Sequence, residues 1–449
     1  MGILDLVLYP VYVTFFYFIF KAFRKNNSNP VLKYYHNQGF WIKIFVVLVF
    51  AIFNWKISIG DSFVLYQVEG KNLYDLILKD PANFKWIFSA AKDFDETLLK
   101  DPWNKGYLLG EANFMVVRFV TIISFITMGK YLLTNLVFGL LAFSGAWKLF
   151  LFFYEQYPHL HRKFAIAILY LPTFVFWSSG ILKDSICIAA IGWITYSLYQ
   201  IFIRRAELIK SIILTLVFGY FIWVIKPYIL ISYVPFFILY LVLKNVSFLN
   251  NKAVKLVLAP ALVVGCIIAF SQILTNLQDE MGQYAVGSVT KNVKKINVAY
   301  ENQANENSNS SMFTYGTEFD GSITGLVKMA PIFIGTTFFR PFIWESRKIS
   351  TLLSSLEGLA LMYFTISVVF KAGFKTVFQT LTKNPLAMYC FLFSVIFALF
   401  VGATTLNFGS LCRYKIPCMP FYVIAIFLIQ DASIQKKNNL LKNKEAVNL

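Results

Sequence analysis

The sequence predicts an all-α polytopic membrane protein, with residues 1–449 forming a single transmembrane domain, and three observations carry that reading. Hydrophobic residues make up 58% of the 449 and mean hydropathy is +0.62, beyond what a soluble enzyme carries. Several apolar runs approach the roughly 20 residues that a helix needs to cross about 30 Å of hydrocarbon. Lysine and arginine recur in short connectors between those runs, as expected of cytoplasmic loops. Period-two alternation is not sustained, which argues against a membrane β-barrel.

The first span is expected over Leu4–Phe20. Asp5 stands ahead of its apolar run and Lys21, Arg24 and Lys25 follow, the reverse of a signal peptide, so the span is expected to be retained. After the basic connector Lys21–Gln38, the second span, Phe40–Trp55, runs outward. Residues 58–130 then read as an outer amphipathic segment. Its acids, among them Glu69, Asp93, Glu96 and Glu111, are interleaved with aromatic residues, the pattern of helices lying on a membrane surface. Within it Phe114–Met128 is short and holds Arg118, which favours an interfacial or re-entrant helix.

Further spans are expected at Tyr131–Phe153, Phe164–Phe176, Ile186–Ile203, Ile212–Val224, Ile229–Leu243, Leu256–Leu274, Leu352–Phe370, Leu386–Val401 and around Phe421–Leu428. The total is about eleven transmembrane helices, with the N-terminus outside and the C-terminus cytoplasmic. A second outer segment, 275–349, contains an Asn- and Ser-rich stretch, 278–320, whose composition predicts a mobile polar loop.

Several functions are disfavoured. The net charge of +18 is spread over connectors rather than gathered on a surface, so no nucleic-acid partner is expected. The five cysteines show no metal-binding spacing, and neither a metal site nor a cofactor is expected. There is no Walker loop, no HExxH and no GxSxG in a strand–helix setting.

The remaining polar signals converge on one side. In this topology Gly60-Asp61, Lys183-Asp184, Lys226-Pro-Tyr228, Arg340 to Glu345 and Asn407 to Lys415 all fall outside. A cavity with few carboxylates and several fixed cations suits a substrate with an anionic head group and a lipid tail. Arginine clamps phosphate bidentately and lysine acts as a point charge, while a carboxylate can take the proton of an attacking hydroxyl. Each signal also has a plainer reading. Asp61 can cap the helix that follows it, and Asp184 can do the same through Ser185. Lys183, Lys226 and Arg413 can be snorkelling anchors, and Arg340 and Glu345 can pair with each other or with lipid head groups. His159 and His161 read as charge and packing elements of an inner connector.

The layout resembles the GT-C class of integral-membrane glycosyltransferases and the related bacterial surface-polysaccharide polymerases (O-antigen or exopolysaccharide). The features that carry the resemblance are Gly60-Asp61-Ser62 at the end of an early span, Pro172…Trp177-Ser-Ser-Gly…Lys183-Asp184, and Arg413-Tyr-Lys-Ile-Pro-Cys-Met-Pro420. The resemblance implies a polyprenyl-phosphate- or diphosphate-linked sugar donor and a glycan or lipid acceptor on the outer face of a bacterial cytoplasmic membrane. It implies catalytic roles for Asp61 and Asp184, and phosphate binding by Lys183, Lys226, Arg340, Arg413 and Lys415. Membrane lipids and other polysaccharide-assembly proteins are the implied partners. The sequence lacks the Asp-x-Asp that many members carry near this position, so a divalent metal is not implied. A non-enzymatic flippase or exporter of lipid-linked oligosaccharide is the competing reading; it predicts charges in the middles of spans.

Overall fold

The computed structural model describes residues 2–24, 29–58, 60–246, 311–315 and 323–447. Among these there is no strand, only an isolated antiparallel bridge between Met312 and Asn407. The chain divides into two compact units, Met1–Pro227 and Tyr228–Leu449.

The first unit contains α1 (Ile3–Arg24), α2 (Pro30–Ile52), α3 (Val68–Lys79), α4 (Glu111–Thr127), α5 (Tyr131–Gln156), α6 (His161–Leu169), α7 (Pro172–Trp177), α8 (Lys183–Tyr199) and α9 (Leu208–Ile225). Asn29 starts α2 by accepting from Val31 N at 2.9 Å, with Pro30 placed where no amide donor is needed. Helix α5 is the axis of this unit. Helix α2 runs antiparallel to it: Asn29 donates to Tyr154, the Tyr35 ring packs on Phe150, and Val47 lies against Gly139.

Helix α8 runs parallel to α5. Ile181, just ahead of α8, donates to Asn135 at one end, and Arg204 pairs with Glu155 at 3.1 Å at the other. Midway the two backbones touch, since a Cβ on Gly192 would overlap the carbonyl of Gly145. Such small-residue contacts let helices in lipid pack closely. Two consecutive long helices can be parallel only if the chain between them travels back. Here α6 and α7 make that return alongside α2, with Tyr35 bonded to His161, Tyr170 donating to Gln38, and Phe50 packed on Phe176. The expected span Phe164–Phe176 is therefore two short helices, broken at Tyr170–Leu171 where Pro172 opens the second.

The acid-rich stretch between α2 and α5 is held together by its acids. Buried Glu69 accepts from Lys100 N at 3.0 Å, Asp101 N at 2.9 Å and Asn104 Nδ2 at 2.8 Å. Asp80, Asp95 and Asp101 each cap a 3₁₀ turn. Arg118 is buried, pairs with Glu111 through Nη1 and donates to Ser89 O through Nη2, so the two outer nitrogens of its guanidinium are held by its own surroundings. Helix α4 meets Pro102–Leu108 at a bend of 115°.

The second unit contains α10 (Pro227–Val246, whose first residue belongs to the first unit), α11 (Ile323–Phe339), α12 (Ile349–Ala372), α13 (Phe374–Lys383), α14 (Pro385–Thr404), α15 (Phe408–Tyr414) and α16 (Met419–Val447). Its core includes edge-to-face aromatic contacts, with Tyr233 at 5.4 Å from Phe393 and Phe393 at 4.9 Å from Phe421.

Eight helices among the described residues are long and apolar enough to cross a bilayer: α1, α2, α5, α8, α9, α10, α12 and α14. Two bent pairs, Pro102–Leu108 with α4 and α15 with α16, would bring the number to ten. The expected count of eleven is not confirmed among the described residues. One expected span, Leu256–Leu274, lies outside the described residues, as does most of the 278–320 stretch. The part of that stretch that is described is tied down: Phe313 is buried and its amide donates to Leu406 O at 3.0 Å. Cys187, Cys390, Cys412 and Cys418 are buried free thiols.

Candidate functional site

Two of the sequence motifs hang from one turn of α5. Ser62 Oγ and Tyr131 Oη are hydrogen-bonded at 3.0 Å, and Phe63 packs edge-on to the same ring. One turn further, Asn135 donates to Tyr131 O at 2.7 Å and accepts from Ile181 N at 3.0 Å. Gly180 sits where a Cβ would overlap Phe50 and Asn135, so only glycine lets the loop come this close. The Gly60–Ser62 turn and the Ser178–Asp184 loop are thus anchored at the same end of α5.

Their acids have different surroundings. Asp61 is exposed at the start of a π-helical turn that its side chain does not cap. Asp184 is 1% exposed, and its Oδ1 lies 2.5 Å from Lys226 Nζ, itself almost fully buried. The pair also sits on favourable helix poles, Asp184 in the first turn of α8 and Lys226 just past the last turn of α9. Antiparallel packing of α8 and α9, seen in the stacking of Trp193 on Phe218, brings those poles together. Lys183, next to Asp184, is half-buried.

One residue escaped the sequence reading. Lys43 lies inside the apolar run of α2, is 4% exposed, and points its Nζ at the end of α7. It donates to Ser178 Oγ at 2.8 Å, Ser178 O at 2.9 Å, Ser179 Oγ at 3.0 Å and Val175 O at 3.1 Å. Among the described residues no carboxylate pairs with it. The ammonium gathers the carbonyls of a helix C-terminus and locks the break that precedes Lys183-Asp184. A lysine midway along a 28-residue apolar helix was the available signal.

The second unit holds the other cations. Arg340 Nε donates to both oxygens of Glu345, at 3.0 and 3.1 Å, and its Nη2 bonds Glu345 as well. The guanidinium lies over the Phe313 ring at 4.5 Å, and Phe313 stacks on Phe408 at 4.3 Å. Of the alternatives for Arg340 and Glu345, pairing with each other is the one observed. Lys415 is 1% exposed and donates to Arg340 O at 3.2 Å. Arg413, half-buried, lies 5.4 Å from the Tyr414 ring. Tyr315 donates to Gly402 O, and its burial raises the phenol's pKa while nearby Arg340 opposes the shift.

Asp61, Lys183, Asp184 and Lys226 therefore belong to the first unit, and Arg340, Arg413 and Lys415 to the second. Fold and site together define a polytopic all-α membrane protein with fixed charges at helix ends. No known family model, curated protein or solved structure matches the chain.

Proposed function

We propose that the protein is a bacterial membrane glycosyltransferase. It uses a polyprenyl-(di)phosphate-linked sugar on the outer face of the cytoplasmic membrane in cell-surface polysaccharide assembly, by single-sugar transfer or repeat-unit polymerisation. The supporting observation is the anchoring of the Asp61 turn and the Lys183-Asp184 loop to one turn of α5, with Asp61 left exposed. In this reading the acceptor hydroxyl attacks the anomeric carbon and its proton passes to the Asp61 carboxylate. The bond from that carbon to the lipid phosphate breaks, the electron pair leaves on phosphate oxygen, and Lys183 steadies the charge. Asp184 and Lys226, being buried against each other, position Lys183.

The test is the length profile of surface glycans from a deletion strain carrying either the wild-type chain or Asp61→Asn. Collapse of a ladder to one repeat in both the deletion and D61N means polymerisation; a uniform small shift means single-sugar transfer. Full rescue by D61N removes Asp61 from the chemistry. A second reading, a non-enzymatic flippase or exporter, is favoured by one observation, the buried mid-span Lys43.

A further inference from the structure

Between the membrane spans α12 and α14 the chain forms α13, and its two faces are strongly unlike. Phe374, Val377, Phe378 and Leu381 fall on one side at helical spacing, and Phe374 and Phe378 are 82% and 70% exposed. Phe370, at the end of α12, is 80% exposed as well. The opposite side packs on α16, where Thr376 and Thr380 are buried and Lys436 donates to Thr376 Oγ1 at 3.2 Å. A surface helix normally turns its phenylalanines inward. Here they face away from the protein, on a segment whose two ends are fixed at the ends of spans. That is the arrangement of a helix lying in the membrane interface with its rings in the acyl region.

On the polar side, α13 and α16 enclose a groove of about 500 Å³. Lys383 and Lys436 line it together with Gln379, Asn384, Gln435 and Asn439, and no acidic residue does. Two ammonium groups and the amides of Gln379, Asn384 and Asn439 form a donor-rich cradle for an anion, while Gln435 Nε2 is held by the Asp431 carboxylate at 2.8 Å. The rings of α13 place that cradle at head-group depth. The groove lies at the end of the spans that carries Lys371, Lys375 and Lys383, where anionic lipid gathers basic residues.

We infer that the groove between α13 and α16 binds the phosphate-bearing head group of an anionic membrane lipid, with Phe374 and Phe378 seated among its acyl chains. This site is independent of the function proposed above.

The experiment titrates the full-length protein in detergent with phosphatidylglycerol or with phosphatidylcholine, and counts bound lipid by native mass spectrometry. The wild-type chain is expected to prefer phosphatidylglycerol. The double variant K383Q/K436Q, changed only at exposed side chains, is expected to lose about thirty-fold in that affinity while its melting temperature stays in place. F374S/F378S is expected to weaken lipid binding with both lysines intact. Equal binding of the two lipids, or undiminished phosphatidylglycerol binding by K383Q/K436Q, overturns the inference. Displacement of the lipid by equimolar inorganic phosphate, with F374S/F378S behaving as wild type, also overturns it, in favour of a soluble phosphate ligand.

Discussion

Asp184 and Lys226 meet across 42 residues of sequence as a buried ion pair, 2.5 Å from oxygen to nitrogen. Removing either partner leaves the other's charge buried without the opposite charge that now faces it. Asp184→Ala or Lys226→Ala is expected to lower stability by about 3–5 kcal/mol, whereas the double replacement Asp184→Leu/Lys226→Met should recover most of the loss. Thermal unfolding of the detergent-solubilised variants measures this, and equal loss in single and double variants would show that the pair is not coupled.

Lys43 is expected to act through the loop that it gathers. Lys43→Met removes the ammonium from the Ser178 carbonyl, whereas Val175 O still accepts from Ser179 Oγ, at a cost of about 1–3 kcal/mol for a buried polar group. The loss should appear as faster hydrogen exchange over residues 175–185, measured by mass spectrometry, with α9 unchanged. Exchange rising uniformly across the protein would instead mark Lys43 as a general packing residue.

The contact of α5 with α8 gives a sharp contrast between two glycines. Gly192→Ala forces its methyl group into the Gly145 carbonyl, so the helices must part, and the expected result is a large drop in folded yield. Nothing lies near a Cβ at Gly219 in the middle of α9, so Gly219→Ala should be neutral or stabilising by roughly 0.5–1 kcal/mol. Size-exclusion profiles of the two variants, side by side, decide the point.

The Arg340–Glu345 fork predicts that lysine cannot replace arginine. Arg340→Lys keeps the charge but loses the planar two-nitrogen contact and the stacking over Phe313. It should therefore destabilise the second unit nearly as much as Arg340→Gln does. Full stability of Arg340→Lys would mean that charge alone matters there.

Eight of the expected spans were legible because an apolar run of helical length in a bilayer has few alternatives; Phe164–Phe176 was not, being broken at Pro172. The Arg340–Glu345 pair was legible as one of two readings because the partners are five residues apart. The Asp184–Lys226 pair was not, since its partners meet only once α8 and α9 pack antiparallel. Glu69 read as one more surface acid, although its carboxylate organises three donors from 31 to 35 residues away. Lys43 stood in plain view, but one charge in a run otherwise long enough to cross does not reveal which carbonyls it will meet.

The parallel course of α5 and α8 bears on how the chain is made. The stretch that links them holds helices of only nine and six residues, each too short to enter a bilayer alone. Its buried lining, Lys43 of α2 included, comes from elements on either side of it in sequence. A nascent chain ending before Lys183 should leave residues 157–182 unthreaded in a translocon assay, and a chain continued through Tyr199 should thread them. At this point the order of synthesis and the order of insertion part company: the later helix carries the earlier one across.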